Sequence, residues 1–241
     1  MKSFLIALTI LFTSGSVFAQ LENKPVSNKK DWSKVDLSKR ASDHLLVQFG
    51  YAGWAKTPDS INVNGFSRQF NIYFLFDFPF KTNPKISVAL GAGVGTDNIF
   101  FQNTTIDLIN RIEVKFNRDS ITQYKRYKLA TGYAEIPLEL RYSSNPENMN
   151  KGFKFALGAK VGLNYDGRTK AKVDLDANGL GGYTYKVKSK EFFNGTRIVG
   201  TMRVGYGNFT AFGTYNLTAL FKEGKGPDIR PWSIGLTLSG L

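Results

Sequence analysis

Apolar and polar residues alternate most regularly between residues 66 and 78 of the chain. Apart from Arg68, the even positions carry Phe66, Phe70, Ile72, Phe74, Phe76 and Phe78. The odd positions carry Ser67, Gln69, Asn71, Tyr73, Leu75 and Asp77. A period of two predicts a β-strand with one apolar and one polar face. Because a row of water-exposed phenylalanines would promote aggregation, we expect the apolar face to contact a packed core or lipid.

The same alternation predicts seven further strands. Together the eight predicted strands cover residues 44–55, 66–78, 85–96, 129–142, 153–165, 197–206, 209–220 and 232–239. Their lengths are close to the roughly 9–11 residues that a tilted strand needs to cross a bilayer. An even number of strands lets an antiparallel sheet close with both chain ends on one side.

Alternation alone does not separate a membrane barrel from a soluble, lipocalin-like barrel, whose apolar face points inward. Three observations favour the membrane barrel. The polar faces are rich in Gly, Ser and Ala with isolated charges, as a crowded interior requires. Aromatic residues gather near both strand ends, and short connections alternate with long ones. The aromatic positions are Phe78, Phe80, Tyr142, Phe153, Tyr206 and Phe209 at one end, and Tyr51, Trp54, Phe66, Tyr165 and Trp232 at the other. The sequence therefore predicts an all-β fold, an eight-stranded antiparallel transmembrane β-barrel.

The N-terminal residues have the pattern of an export signal. Lys2 precedes an apolar run over residues 4–12, and a small-residue site follows, so we predict a signal peptide, residues 1–19, cleaved after Ala19. Residues 20–43 are polar and basic, which predicts a flexible periplasmic leader before the barrel domain, residues 44–241. An exported protein of this kind is expected in a bacterial outer membrane.

The net charge and the cysteine content limit which binding partners and which metal sites are expected. The formal net charge is +13, and the chain has no cysteine, which excludes disulfides and thiolate metal sites. An exported chain rarely meets nucleic acid, so we expect no nucleic-acid partner. Two interpretations of the charge stay open: a solvated surface, or attraction to outer-membrane lipid headgroups and lipopolysaccharide phosphates.

Charged residues fall on the polar faces of several predicted strands. They are Asp77, Glu135, Glu139, Arg141, Lys154, Lys160, Arg197 and Arg203. This barrel-interior polar network is interpreted either as a conducting or solute-binding lumen or as an ion-paired plug. The plug is favoured, because eight strands leave room for side chains but not for a water-filled channel. We expect Pro137, in the middle of a strand, to mark a bulge or kink.

No arrangement of residues suggests catalysis. Glu135 and Glu139 would stand about 13 Å apart along a strand, too far to share a water molecule. His44 is the only histidine and lies at the start of the first predicted strand. The sequence therefore predicts no catalytic, cofactor or metal site, and an enzyme is the least favoured function.

The two longest connections contain further alternation. Residues 112–116 and 121–129 predict one hairpin, and residues 170–176 and 183–190 predict another that turns at 178–182. The first connection also carries a predicted basic extracellular loop of Arg111, Lys115, Arg118, Lys125, Arg126 and Lys128. Lipopolysaccharide, a surface protein or a secretion component could bind there, or the hairpins could only shield the rim.

Residues 133–142, Tyr-Ala-Glu-Ile-Pro-Leu-Glu-Leu-Arg-Tyr, resemble the Y-x-E-I-P-L-x-L-K/R-Y strand of the PorT-like group of Bacteroidota outer-membrane β-barrel proteins. Residues 204–209 and 215–222 resemble the penultimate hairpin of that group, and residues 230–236 its closing strand. The resemblance implies a non-enzymatic envelope structural or interaction protein, with a type IX-like secretion accessory as one form. A small pore or solute-binding barrel is the alternative.

Overall fold

The computed structural model describes residues 43–58, 61, 63, 65–109, 112–118, 124–173 and 182–240. The predicted signal peptide, its cleavage site and residues 20–42 of the predicted leader lie outside the described residues.

Eleven strands make up the described structure. The eight that form the main wall are β1 (Leu45–Ala55), β2 (Arg68–Pro79), β3 (Ile86–Phe101), β6 (Tyr124–Ser143), β7 (Phe153–Val173), β9 (Thr196–Tyr206), β10 (Phe209–Asn216) and β11 (Arg230–Ser239). The three shorter ones are β4 (Thr104–Asp107), β5 (Lys115–Arg118) and β8 (Thr184–Lys188). The described residues include no helix long and apolar enough to cross a membrane.

The wall strands close into a barrel in which every neighbouring pair is antiparallel. Their order is β6, β3, β2, β1, β11, β10, β9 and β7, and pairing between β6 and β7 closes the ring. The chain's first and last wall strands pair over ten residues, from Leu46 with Ser239 to Ala55 with Arg230. The predicted eight-stranded antiparallel barrel is confirmed.

The apolar faces of the strands point outward. Phe76 and Leu138 are 55% and 52% exposed, although a folded protein normally buries such side chains. The alternate positions point into the barrel, where Asn71 and Leu75 are fully buried. This inside-out arrangement is what a hydrocarbon environment requires, because closed strands satisfy the backbone and apolar side chains meet the acyl chains.

Three wall strands, β3, β6 and β7, are longer than a membrane crossing needs, with 16, 20 and 21 residues. Their extensions rise from the end of the barrel that carries the long connections, here called the long-loop end. A register shift between Gly132 and Tyr133 on β6 leaves Tyr165 of β7 as an extra, bulged residue. After this bulge the even-numbered residues of β7 face outward instead of the odd-numbered ones.

The first predicted loop hairpin is wrong. Residues 112–116 do not pair with 121–129, because β5 pairs with β4, and the chain from Tyr124 onward belongs to the wall strand β6. The second hairpin is confirmed, since β7 pairs with β8 from Arg168 with Lys188 to Lys172 with Thr184. Residues 178–181 of its predicted turn lie outside the described residues.

Of the bulge or kink expected at Pro137, the bulge is wrong. Pro137 pairs with Lys160 of β7 in regular register. On the other side, pairing between β3 and β6 stops at Leu90 with Leu138 and resumes in the same register at Gly93 with Glu135. Because proline has no N–H to donate, the ladder toward β3 is interrupted locally while the pairing register is kept.

An apolar cluster covers the long-loop end of the barrel and is here called the cap. Its buried members are Ala52, Ile61, Ile99, Phe101, Ile106, Leu108, Val114, Tyr127, Leu129, Ala171, Phe192, Phe193, Leu220, Phe221 and Ile229. Trp54, predicted to face the membrane interface, instead packs against the cap, with its ring 5.3 Å from that of Phe101. The cap holds residues from the strand extensions and from all four connections at this end, so these segments form one packed unit.

Gly91 of β3 is a position where the wall leaves no room for a side chain. A Cβ atom there would collide with the carbonyl oxygen of Phe74 and lie 2.7 Å from Cα of Leu75. We expect Gly91→Ala to lower the free energy of unfolding by about 1–3 kcal/mol, because the β2–β3 ladder must shift. The measurement is a urea titration of the barrel in lipid vesicles, followed by gel mobility.

Gly213→Ala is the matched control for Gly91→Ala. Gly213 is also a wall glycine, in β10, but among the described residues no atom outside its two chain neighbours lies within 4 Å of the position that its Cβ would take. The control should unfold at the urea concentration of the parent protein. Equal destabilisation by the two substitutions would contradict the steric explanation.

Candidate functional site in the barrel interior

The upper layer of the interior, nearest the cap, is built around Arg197 of β9. Its Nε donates to Oε1 of Glu135 over 2.8 Å, and its Nη1 donates to Oδ2 of Asp97 over 2.6 Å. The guanidinium carbon also lies 3.6 Å from the centroid of the Tyr133 ring, so the cation is stacked on an aromatic face. Three strands, β3, β6 and β9, therefore meet at one side chain.

Lys160 of β7 completes the upper layer. Its Nζ lies 3.1 Å from Oε2 of Glu135 and 2.7 Å from the hydroxyl oxygen of Tyr73, which itself donates to Glu135. Asp97 accepts a 2.8 Å hydrogen bond from the Gln69 amide. These contacts extend the layer across β2, so side chains from both sides of the barrel are bonded through its centre.

The lower layer lies toward the end with the short turns. Glu139 of β6 accepts a 2.7 Å hydrogen bond from Nη2 of Arg203 and a 3.0 Å bond from Nε of Arg141. Arg141 also lies 3.7 Å from Asp77, which accepts a 2.6 Å bond from the Ser87 hydroxyl. These side chains are almost completely shielded from solvent.

Asp43 lies at the outer edge of the lower layer, at the end of the barrel with the short turns. Its carboxylate receives two hydrogen bonds from Nζ of Lys154, over 2.7 and 2.9 Å, and its backbone carbonyl accepts a 3.3 Å bond from Arg141. The cavity between Asp43, Arg141 and Lys154 measures only about 10 Å³. That volume is comparable with a single water molecule.

The two layers are electrically balanced. The described interior holds five carboxylates and five cations, each in at least one ion pair. The carboxylates are Asp43, Asp77, Asp97, Glu135 and Glu139, and the cations are Arg141, Lys154, Lys160, Arg197 and Arg203. Pairing is required here, because an unpaired buried charge costs several kcal/mol.

Comparison with known proteins places this architecture in a family. Residues 14–224 match the family model described as outer membrane protein beta-barrel domain. The chain belongs to this family. No curated protein and no solved structure matches the chain.

Membership of the outer membrane protein beta-barrel family assigns each end of the barrel to one side of the membrane. In such barrels the short turns face the periplasm and the longer loops face the exterior. The cap and the extensions of β3, β6 and β7 therefore belong to the extracellular side, and Asp43 with the lower layer to the periplasmic side.

All eight residues of the predicted interior network lie in the two layers. Sequence analysis misses the charged members Asp97 and Asp43, and uncharged members such as Tyr73 and Gln69. Asp97 lies one residue beyond the predicted strand 85–96, yet it continues the odd-numbered inward face of β3, so extending the alternation finds it. Tyr73 lies on the predicted polar face, but its sequence position indicates no contact with Glu135. Asp43 falls in the predicted flexible leader, and no local pattern marks it, since its partner lies 111 residues away.

The predicted basic loop is divided between different elements. Lys115 and Arg118 lie in β5, whereas Lys125, Arg126 and Lys128 lie in the extension of wall strand β6. Arg111 lies outside the described residues. The last three residues are therefore strand residues, because β6 continues beyond the membrane through pairing with β7.

Proposed function

We propose that this outer-membrane β-barrel protein is a sealed, non-conducting envelope protein that acts through its surfaces. The single observation that supports this is the filled interior, in which two balanced ion-pair layers join opposite walls. A conducting path would need a continuous line of water, and each layer instead bonds side chains across the centre of the barrel. The apolar cap covers the extracellular end of the same path.

We also propose that the protein is not an enzyme. The buried carboxylates that could serve as acids or bases are bonded to arginine and lysine side chains, which favours a structural role. His44 lies at the periplasmic start of β1, with Nδ1 2.9 Å from the carbonyl oxygen of Leu75. Neither arrangement presents a reactive group at an open cleft.

The proposed assignment to a narrower group within the family depends on the strand motifs of the chain. The sequence of residues 133–142 supports membership of the PorT-like group of Bacteroidota. A secretion-accessory role is one form of the proposed interaction function, and it would act through the extracellular cap or the basic leader. A crosslinking experiment in the native envelope would test it, because a secretion accessory should capture components of the export machinery reproducibly.

Conductance measurements test the sealed barrel directly. We expect purified protein in planar lipid bilayers to give no steady current, because the two layers bond side chains across the centre of the barrel. A steady, repeatable single-channel current would contradict the proposal and support the alternative function, a small pore.

Thiol labelling gives an independent test, because the chain has no native cysteine. Thr201 faces inward on β9 and is buried, so Thr201→Cys should not react with a membrane-impermeant maleimide added from either side. Lys151→Cys and Lys190→Cys are matched controls at exposed positions near the two ends, and both should react. All three should react in denaturant. Labelling of residue 201 in the native barrel would show that solvent enters.

A further inference from the structure

The outer surface of the extracellular extensions carries a group of cations that we call the basic face. Its members are Arg68, Arg126, Lys128, Arg168, Lys170, Lys172, Lys186 and Lys188. Strand pairing sets them directly opposite one another: Lys128 pairs with Lys170, and Lys170 pairs with Lys186. Arg126 pairs with Lys172, and Arg168 with Lys188. Since neighbouring strands lie about 4.8 Å apart, these rows concentrate positive charge on one surface.

The positive charge of the basic face is poorly compensated. Like charges directly opposite each other in a sheet are destabilising. Asp166 pairs with Arg168 over 3.2 Å and with Lys188 over 3.5 Å. In the part of the chain that the structure describes, no carboxylate forms a salt bridge with Lys128, Lys170 or Lys186. Partial burial lowers the pKa of Lys128, and the nearby Lys170 and Arg68 lower it further.

The basic face begins where the lipid-facing apolar surface ends. On β7, Leu163 and Tyr165 face outward as part of the apolar surface, and Arg168 and Lys170 follow directly above them. An open depression of about 360 Å³ lies at this boundary, lined by Asn98, Tyr165, Arg168 and Lys188 among others. The depression therefore lies at the level of the lipid headgroups, because aromatic residues such as Tyr165 mark the interface of a membrane barrel.

The cations at this boundary are held in place. Lys128 donates a 2.7 Å hydrogen bond to Oδ1 of Asn98. Both Lys128 and Arg68 lie over the ring of Phe100, at 5.7 and 5.2 Å from its centroid. Such fixed cations are suited to phosphate, which accepts several charge-assisted hydrogen bonds at once.

We propose that the basic face binds the phosphate groups of a phosphorylated glycolipid in the outer leaflet. A lipid is favoured over a soluble anion, because the apolar surface directly below can contact the acyl chains of the same molecule. The rows of cations are spaced along the strands by about 7 Å, so more than one phosphate can be contacted. The inference adds a partner to the proposed function, and it depends on the outer-membrane location and not on the sealed interior.

The test measures binding of bisphosphorylated lipid A to the full-length protein in detergent micelles, with dephosphorylated lipid A as the comparison. We expect the parent protein to prefer the phosphorylated form. The Lys128→Gln/Lys170→Gln/Lys186→Gln variant should bind it roughly 100-fold more weakly, on the basis of about a factor of five to ten for each cation near a lipid surface. The Lys170→Gln/Lys186→Gln variant, which keeps the Lys128–Asn98 bond, should show an intermediate loss even if the triple variant folds poorly.

The matched control removes three lysines at the periplasmic end, Lys81→Gln/Lys85→Gln/Lys151→Gln, and has the same change in net charge. It should bind like the parent protein. Equal loss in both triple variants would overturn the proposal, as would equal binding of the two lipid A forms by the parent. Displacement of the lipid by millimolar inorganic phosphate would show a soluble-anion site instead. None of these results affects the single-channel conductance or the thiol labelling at residue 201. Failure of the lipid-binding proposal can therefore be distinguished from failure of the proposal that the barrel is sealed.

Discussion

Replacing Glu135 with glutamine is expected to destabilise the barrel by about 3–5 kcal/mol, because it leaves a buried positive charge uncompensated. Glu135 accepts hydrogen bonds from Arg197, Lys160 and Tyr73 in the upper layer. In the variant, Asp97 would be the only carboxylate facing two cations in that layer. The measurement is the free energy of unfolding in urea, with the protein inserted in lipid vesicles and folding followed by tryptophan fluorescence.

Two further variants separate charge balance from the loss of a contact. Glu135→Gln/Lys160→Met restores equal numbers of charges in the upper layer, so we expect it to recover at least half of the lost stability. Glu113→Gln is the surface control, since Glu113 and Lys115 are 4.0 Å apart and each is 53% exposed. Exposed pairs of this kind contribute only about 0–1 kcal/mol. A Glu135→Gln variant within about 1 kcal/mol of the parent would show that the layer is not a cooperative buried network.

The sequence predicted the barrel well because a period of two is a local signal. Each of the eight wall strands was found, and the choice of the outward face followed from Gly and small residues on the inner face. The strand ends were less accurate for β3, β6 and β7, which extend beyond the predicted limits at the extracellular end. The bulge at Tyr165 reverses the alternation there, so the basic residues after it resemble a loop in the sequence although they form a regular sheet.

The contacts between distant residues could not be predicted in the same way. Charge on the inward faces suggested an ion-paired interior, but not which cation contacts which carboxylate. Arg197 and Asp97 are 100 residues apart and meet only because β3 and β9 lie on different sides of a narrow barrel. The cap was missed for a similar reason. Its members come from several connections, and each connection alone has too few apolar residues to indicate a core.

Replacing Phe221 with alanine is expected to disrupt the packing of the cap without unfolding the barrel. Phe221 is 2% exposed, and its ring lies 5.3 Å from that of Phe193 and 6.1 Å from that of Phe116. Removing a buried phenylalanine ring costs about 3–5 kcal/mol, since it removes apolar burial and leaves a cavity. The wall strands keep their own hydrogen bonds and lipid contacts, so the loss should be confined to the extracellular segments.

Limited proteolysis of the protein in lipid vesicles measures this local effect. We expect Phe221→Ala to be cleaved faster than the parent in the long connections, while the heat-dependent shift in gel mobility that reports the closed barrel is unchanged. Ile109→Ala is the matched control, because Ile109 also belongs to a long connection but is 74% exposed. If the two variants are cleaved alike, the cap is not held by Phe221. If Phe221→Ala abolishes the mobility shift, the cap and barrel fold as one cooperative unit, and the apolar cluster is then part of what closes the wall.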